Sequence, residues 1–167
     1  MIAGLNLKTE GESFIAILDD ELELLSVETN EEIVDNLPEE LQILAVNAPL
    51  ERVEGLTDKE EELMEEGYQF TPSTHETDLN RRAVHLQQML FEKGMEVEVI
   101  RFDSMLTSKE LAIDGDSALE SYGIETDGIN SAEDFDAVLG AITARFYQQD
   151  QCKDLGIQIP ENINQNT

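Results

Sequence analysis

The first third of the chain alternates short apolar runs with polar interruptions. The run from Ile2 to Leu7 is followed by two more in the segment SFIAILDDELELLSV, where Asp19, Asp20 and Glu21 separate the apolar positions. Apolar runs of this length, bounded by turn-forming residues, are typical of β-strands. The pattern predicts three successive strands, of which the second and third form a hairpin.

The middle of the chain mixes strand and helix patterns. Thr29 and Asn30 suit the start of a helix that Pro38 ends, and Ile43 to Val46 form a continuous apolar run, as in a strand buried on both faces. Apolar residues then recur at helical spacing before Gly94, which suits a helix end. These residues, which predict an amphipathic helix, are Leu79, Ala83, Leu86 and Leu90.

Weaker patterns fill the remaining segments. Thr57 and Glu60 form a capping box for a helix with few apolar positions, which favours a solvated helix. The alternating segment MEVEVIRF predicts a strand, and a helix with a turn is expected between Thr107 and Gly123. Ser131 suits the start of a last helix, whose small residues allow close packing. Its apolar stripe consists of Phe135, Val138, Leu139, Ile142 and Phe146.

The order of these elements predicts an α/β fold. Three antiparallel strands precede two strands reached through helices, so we expect a mixed sheet of about five strands flanked by helices. Residues 1–157 would form one domain and residues 158–167 a polar C-terminal tail, with a short extended piece at Ile157 to Ile159. If the fourth strand lies parallel beside the first, Asn6 and Asn47 face one crevice at the point where the strand order reverses.

The net charge limits the partners that the surface can attract. The chain of 167 residues has 38 Asp and Glu against 10 Lys and Arg, a formal net charge of −28, spread along its whole length. Such a field repels nucleic acids and anionic membranes, so simple electrostatic DNA binding is excluded. An acidic, lysine-poor surface is also typical of proteins from halophiles that accumulate salt, because molar salt screens the repulsion.

Nothing in the sequence predicts export or membrane insertion. The N-terminal segment has no basic region before an apolar stretch, and no run of about 18 apolar residues exists. Cys152 is the one cysteine, so no internal disulfide can form and no zinc-ligand spacing is present. We therefore expect a cytoplasmic protein. The sequence does not determine its oligomeric state.

Several segments together resemble a known family. The segments IAGLNL, ILAVNAPL, VEVIRFDSML, DAVLGAITARFY and LGIQIP, which cover nearly the whole chain, are similar to an uncharacterised family of predicted nucleases. That family has an RNase H-like fold within the RuvC/RNase H-like superfamily. Its first strand reads roughly I-A-G-I-D and its fourth V-A-I-D-A-P-L. The fifth strand carries a Glu near a Pro, and the last helix begins with an Asp.

The resemblance implies a metal-dependent catalytic set, most of which is substituted here. Two-metal phosphodiester cleavage uses carboxylates to hold Mg²⁺ or Mn²⁺ ions about 4 Å apart. By position, the first-strand Asp falls on Asn6, the fourth-strand Asp on Asn47 and the fifth-strand Glu on Arg101, while the helix Asp is retained as Asp136. Asp103, two residues beyond Arg101, is the obvious substitute ligand, because residues two apart on a strand share a face.

Each of these residues also has a structural interpretation. Asn6 and Asn47 could satisfy backbone groups at strand ends, and Asp136 could be an ordinary acid near a helix start. Arg101 could be a solvated charge at a sheet edge. If Arg101 points inward instead, its cation takes the place of a metal, pairs with Asp136 and donates to the Asn6 or Asn47 carbonyl groups.

Other reactive side chains give weaker signals. Arg81, Arg82 and His85 are the one basic concentration; they could receive an anion, although a solvated helix face is favoured. His75 lies in a loop without a positioned acid, which argues against a nucleophilic triad. Cys152 is interpreted as structural or incidental.

Two functions follow from the sequence. The favoured one is a non-catalytic binding module, a pseudoenzyme on an RNase H-like scaffold, whose partner the sequence does not name. The alternative is an active divalent-metal nuclease or phosphodiesterase, with Asp136 and Asp103 as metal ligands beside Asn6 and Asn47. Nucleic acid as a partner follows from the resemblance, whereas the net charge of −28 disfavours it.

Overall fold

Five strands form the central sheet of the computed structural model, which describes residues 1–74 and 77–161. The sheet order is β3-β2-β1-β4-β5. β1 pairs antiparallel with β2 and β2 with β3, whereas β1 and β4, and β4 and β5, are parallel. The predicted mixed sheet is confirmed. Its strands are β1 (Ile2–Asn6), β2 (Ser13–Leu18), β3 (Leu22–Val27), β4 (Ile43–Val46) and β5 (Glu98–Arg101).

Six helices and a small hairpin, β6 and β7, complete the described part of the chain. The caps predicted at Thr29, Thr57 and Ser131 each accept a backbone N–H bond at the start of their helix. The segment after β5 holds two short helices where one was expected. The elements are α1 (Asn30–Asn36), α2 (Asp58–Glu65), α3 (Asp78–Glu92), α4 (Ser104–Glu110), α5 (Asp116–Glu120), α6 (Ala132–Gln148), β6 (Cys152–Asp154) and β7 (Gln158–Pro160).

A hydrophobic core covers each face of the sheet. α6 packs on one face, where the apolar stripe predicted for it joins side chains from β1, β2, β4 and β5. α1 and α3 cover the other face, and Leu86 and Leu90 of α3 are almost fully buried there. None of the described helices is long and apolar enough to cross a membrane.

β1 and α6 approach each other closely at two glycines. A Cβ atom built on Gly4 would lie 2.1 Å from the backbone oxygen of Ala137 and 2.3 Å from the nitrogen of Ala141. A Cβ atom on Gly140 would lie 2.9 Å from the Cα of Gly4. Two glycines facing each other therefore let the helix backbone touch the strand, as the small residues of α6 predicted.

Two segments are more buried than the sequence suggested. Leu63 of α2 is fully buried and packs with Leu106, Ile157 and Ile159, so the helix expected to be solvated is docked on the domain. Residues 158–160, which the sequence assigned to the polar tail, form β7 opposite β6 and are buried.

Candidate functional site

Asn6 and Asn47 meet at the carboxyl ends of two neighbouring parallel strands. Asn6 ends β1 and is 3% exposed, and Asn47 directly follows β4. The Nδ2 of Asn47 donates to the Oδ1 of Asn6 at 3.0 Å, and the Oδ1 of Asn47 accepts from the Leu7 backbone N–H at 2.7 Å. The Nδ2 of Asn6 donates to the Glu133 backbone oxygen of α6 at 3.1 Å. The two asparagines thus connect β1, β4 and α6.

These hydrogen bonds bear on whether the crevice suits a metal. Each amide oxygen already accepts an N–H donor, which brings a partial positive charge to the place where a dication would sit. Among residues 1–74 and 77–161, no group of three or more His, Cys, Asp or Glu side chains is arranged to hold a metal ion. The residues present therefore do not fit the two-dication centre that the resemblance implies.

Asp136 lies in α6, three residues after Glu133, in an acidic environment. Burial raises the pKa of Asp136 above its ordinary value; Lys8 opposes this, and the charges of Glu133 and Asp103 add to it. Glu133 was not identified from the sequence. The signal that could have found it is its position three residues before Asp136, which places both on one side of the first turns of α6.

Both carboxylate oxygens of Asp103 accept hydrogen bonds from backbone N–H groups. It is 7% exposed and is the N-cap of α4, where its Oδ1 accepts the Leu106 N–H at 3.1 Å. Its Oδ2 accepts the Thr71 N–H at 2.8 Å. The negative charge of Asp103 reaches Asp136, but both of its oxygens already fix the start of a helix and a loop.

Arg101 is paired with an acid that the sequence analysis placed on a solvated helix. Its Nη2 lies 3.7 Å from the Oε2 of Glu60, and it also contacts the Ser73 hydroxyl and the Thr71 backbone oxygen. The expected pairing of Arg101 with Asp136 is wrong, since Glu60 on α2, 1% exposed, supplies the carboxylate. The Arg101 side chain is 11% exposed, so the interpretation as a solvated edge charge is also wrong.

The Glu60–Arg101 pair is held by further hydrogen bonds. The Oε2 of Glu60 accepts the Ser73 N–H at 2.6 Å, and its Oε1 completes the capping box with Thr57. Burial alone would raise the pKa of Glu60, but the bonds from Ser73 and Thr57 hold it below the ordinary value. Burial lowers the pKa of Arg101, against the attraction of Glu60 and Asp103. Both groups remain charged at neutral pH.

The two arginines of the basic cluster on α3, Arg81 and Arg82, have different roles. Arg82 is partly buried, and its guanidinium donates to the Asn30 side chain, the Ser13 hydroxyl and the backbone oxygens of Lys8 and Glu28. It clamps α3 to the β1–β2 turn and to the start of α1. Arg81 instead lies on the exposed side of α3 and pairs with Asp78 at 2.9 Å.

The remaining candidates are His75, His85 and Cys152. His85 is exposed on α3, and His75 lies outside the described residues. Burial raises the pKa of Cys152 to about 12, and the charges of Glu161 and Asp154 act in the same direction. Cys152 is therefore a neutral thiol at physiological pH and a poor nucleophile.

The fold is similar to that of two solved RuvC structures. One such structure is RuvC of Thermus thermophilus in complex with a Holliday junction substrate, with a TM-score of 0.58, 17% sequence identity, and coverage of 95% of this chain and 98% of that one. A second Thermus thermophilus RuvC structure gives a TM-score of 0.52 at the same identity and coverage. No protein-family model matches the sequence, and no curated protein matches it significantly.

The structural similarity confirms the predicted RNase H-like fold over almost the whole chain. At 17% sequence identity, this similarity establishes the fold alone. A shared fold does not determine function, which depends on the side chains at the site.

Proposed function

We propose that this protein is a non-catalytic binding module built on an RNase H-like nuclease scaffold. The observation that carries the proposal is the Asn6–Asn47 pair, in which an amide N–H donates to an amide oxygen at 3.0 Å. Two carboxylates at these positions would both be acceptors and would need a cation between them. Two asparagines satisfy each other without a cation, so a crevice of this kind is stable without metal.

The other candidate ligands support the same proposal. Asp103 uses both oxygens for backbone N–H groups. Arg101 places a permanent cation on the strand where the resemblance expects a carboxylate. Asp136 and Glu133 remain as acids in the first turns of α6, and two carboxylates give weak, exchangeable dication binding at most.

The net charge of −28 opposes a nucleic-acid substrate. Affinity for a polyanion comes largely from phosphate contacts with Lys and Arg, of which the chain has 10. A RuvC structure holds a Holliday junction, so junction DNA is the substrate with which the alternative, an active nuclease, is tested.

A metal titration followed by amide NMR distinguishes the two functions. Mg²⁺ and then Mn²⁺ are added in concentrated KCl to the wild type and to Asp136→Ala. The proposal expects diffuse, unsaturated shifts in both proteins and no cleavage of single-stranded or junction DNA above the Asp136→Ala background. The double variant Asn6→Asp/Asn47→Asp is the matched positive control and is expected to gain a localised, saturable Mn²⁺ effect.

The opposite result would establish a working metal site. If the side-chain signals of Asn6 and Asn47 shift together and saturably in the wild type, and Asp136→Ala abolishes this, the non-catalytic proposal fails. Metal-dependent cleavage by the wild type alone would establish the nuclease.

A further inference from the structure

The outer edge of β5 presents backbone groups to an open groove. In the parallel pairing of β4 and β5, the N–H groups of Glu98 and Phe102 donate to Gln42 and Val46 across the ladder. Alternate residues of a strand face the same neighbour, so Val99 and Arg101 direct their N–H and C=O groups away from β4. Within residues 1–74 and 77–161, no strand pairs with that side of β5.

The groove beside this edge has the size of a short strand. An open cavity of about 980 Å³ runs along all four residues of β5, between the loop that follows β4 and the β6–β7 hairpin. At 3.3 Å per residue, 4.8 Å between strands and 10 Å between packed layers, six extended residues occupy about 950 Å³. A second cavity of about 500 Å³ shares Glu98, Tyr147, Asp154 and Gln158 with the first and continues the groove.

The charge of the groove selects the kind of segment that fits. Its lining carries more acids than bases, and one of the bases, Arg101, is already paired with Glu60. The acids are Glu51, Glu54, Asp58, Glu98 and Asp154, with Asp150 in the continuation. Leu56, which also lines the groove, is 40% exposed and offers an apolar contact. A complementary ligand alternates cationic and apolar side chains, as an extended strand does.

We propose that the groove along β5 binds an extended, lysine- or arginine-rich segment of a partner protein, which adds to the sheet as a sixth strand. The backbone groups of Val99 and Arg101 supply the hydrogen bonds, and the surrounding carboxylates select a cationic segment. The groove is separate from the Asn6–Asn47 crevice. The metal titration can therefore contradict the proposed function without affecting this inference, and the reverse also holds.

The probe is a fluorescein-labelled peptide, Lys-Val-Lys-Val-Lys-Val, measured by anisotropy at 0.15 M and 1 M KCl, with circular dichroism to verify folding. We expect saturable binding that weakens at least tenfold at 1 M KCl, because the screening length falls from about 8 Å to about 3 Å. A Glu-Val peptide of the same length is the charge control. The same Lys-Val peptide with alternate backbone amides methylated is the strand-pairing control, and neither control is expected to bind.

Variants locate the site. Val99→Pro removes an N–H that points away from the ladder, so the sheet is retained while binding is expected to fall at least tenfold. Glu51→Gln/Glu54→Gln is expected to weaken binding at least threefold, whereas the exposed control Glu39→Gln/Glu40→Gln leaves it unchanged. In the wild type, hydrogen exchange at Val99 and Arg101 is expected to slow when the peptide is bound.

Three results would overturn the inference. The first is absence of saturable peptide binding at 0.15 M KCl. The second is binding that slows exchange at neither Val99 nor Arg101. The third is self-association by sedimentation that Val99→Pro abolishes, because the edge would then be occupied by a second copy of this chain.

Discussion

Replacing Gly4 by alanine tests the close approach of β1 and α6. The added Cβ would meet the Ala137 backbone oxygen at 2.1 Å, whereas ordinary contacts begin at 3.4 Å. The atoms that it meets are helix backbone, which cannot rotate aside as a side chain can. α6 must therefore move away from β1 by about 1 Å, or β1 must bend away from α6.

The cost follows from what α6 buries. A gap of 0.5–1 Å forfeits a quarter to a half of a close van der Waals contact. Burial of each large apolar side chain contributes about 1.5–3 kcal/mol, so a quarter lost from four of them, with the strain of overpacking, costs about 3 kcal/mol. For a domain of this size that lowers Tm by roughly 6–12 °C. The four side chains are Val138, Leu139, Ile142 and Phe146.

Urea unfolding followed by circular dichroism in constant KCl measures this cost. Gly128→Ala is the matched control, because its Cβ would meet Leu24 Cδ1 at 3.8 Å, and it is expected to change the free energy of unfolding by less than about 0.5 kcal/mol. In Gly4→Ala the side-chain amide signal of Asn6 should also shift, since movement of α6 carries Glu133 away. A cost below about 1 kcal/mol for Gly4→Ala would refute the reasoning.

Four further predictions concern charged groups. Burial raises the pKa of Asp136, so the folded state favours its protonated form and its ionisation costs stability as pH rises through that pKa; Asp136→Asn should raise Tm at pH 7 and lose the advantage in acid, as calorimetry across pH can measure. Arg101→Met strands the buried carboxylate of Glu60 and should cost about 3 kcal/mol in urea unfolding, whereas adding Glu60→Gln should recover part of this, contrary to simple additivity. Arg82→Ala should cost about 2 kcal/mol and its neighbour Arg81→Ala, an exposed pair, less than about 0.5 kcal/mol; equal costs would argue against the clamp. Because salt screens a net charge of −28, Tm should rise steadily with KCl, and a flat response in scanning calorimetry would count against a halophilic surface.

The sequence predicted the elements that local patterns specify. Helix starts were found because the side chains of Thr29, Thr57 and Ser131 accept from N–H groups three residues away. The meeting of Asn6 and Asn47 could also be predicted, because parallel neighbours end at the same edge of a sheet.

The parts that sequence reasoning missed depend on partners distant along the chain. Glu60 is spaced as an exposed helix acid, and only the folded chain brings Arg101 against it across 41 positions. In the sequence, Arg82 looks like one of several surface cations, whereas the hydrogen-bond acceptors of its guanidinium lie 52 to 74 residues away along the chain. No local pattern carries such information, because the sequence pattern around a charged helix residue is the same whether its side chain faces solvent or contacts a distant loop.

The direction of the hydrogen bonds that Asn6 and Asn47 make in the crevice favours one order of substitution at these two positions. Asn6→Asp as a first step keeps an oxygen to accept the Asn47 N–H, and it sets a carboxylate against one oxygen, that of the Glu133 backbone, 3.1 Å from its present amide nitrogen. Asn47→Asp as a first step sets a carboxylate against the Asn6 and Leu7 oxygens, 3.0 and 3.3 Å from its present amide nitrogen. A lineage regaining two carboxylates here would pass more easily through position 6, and a lineage that lost them would more easily have replaced position 47 first.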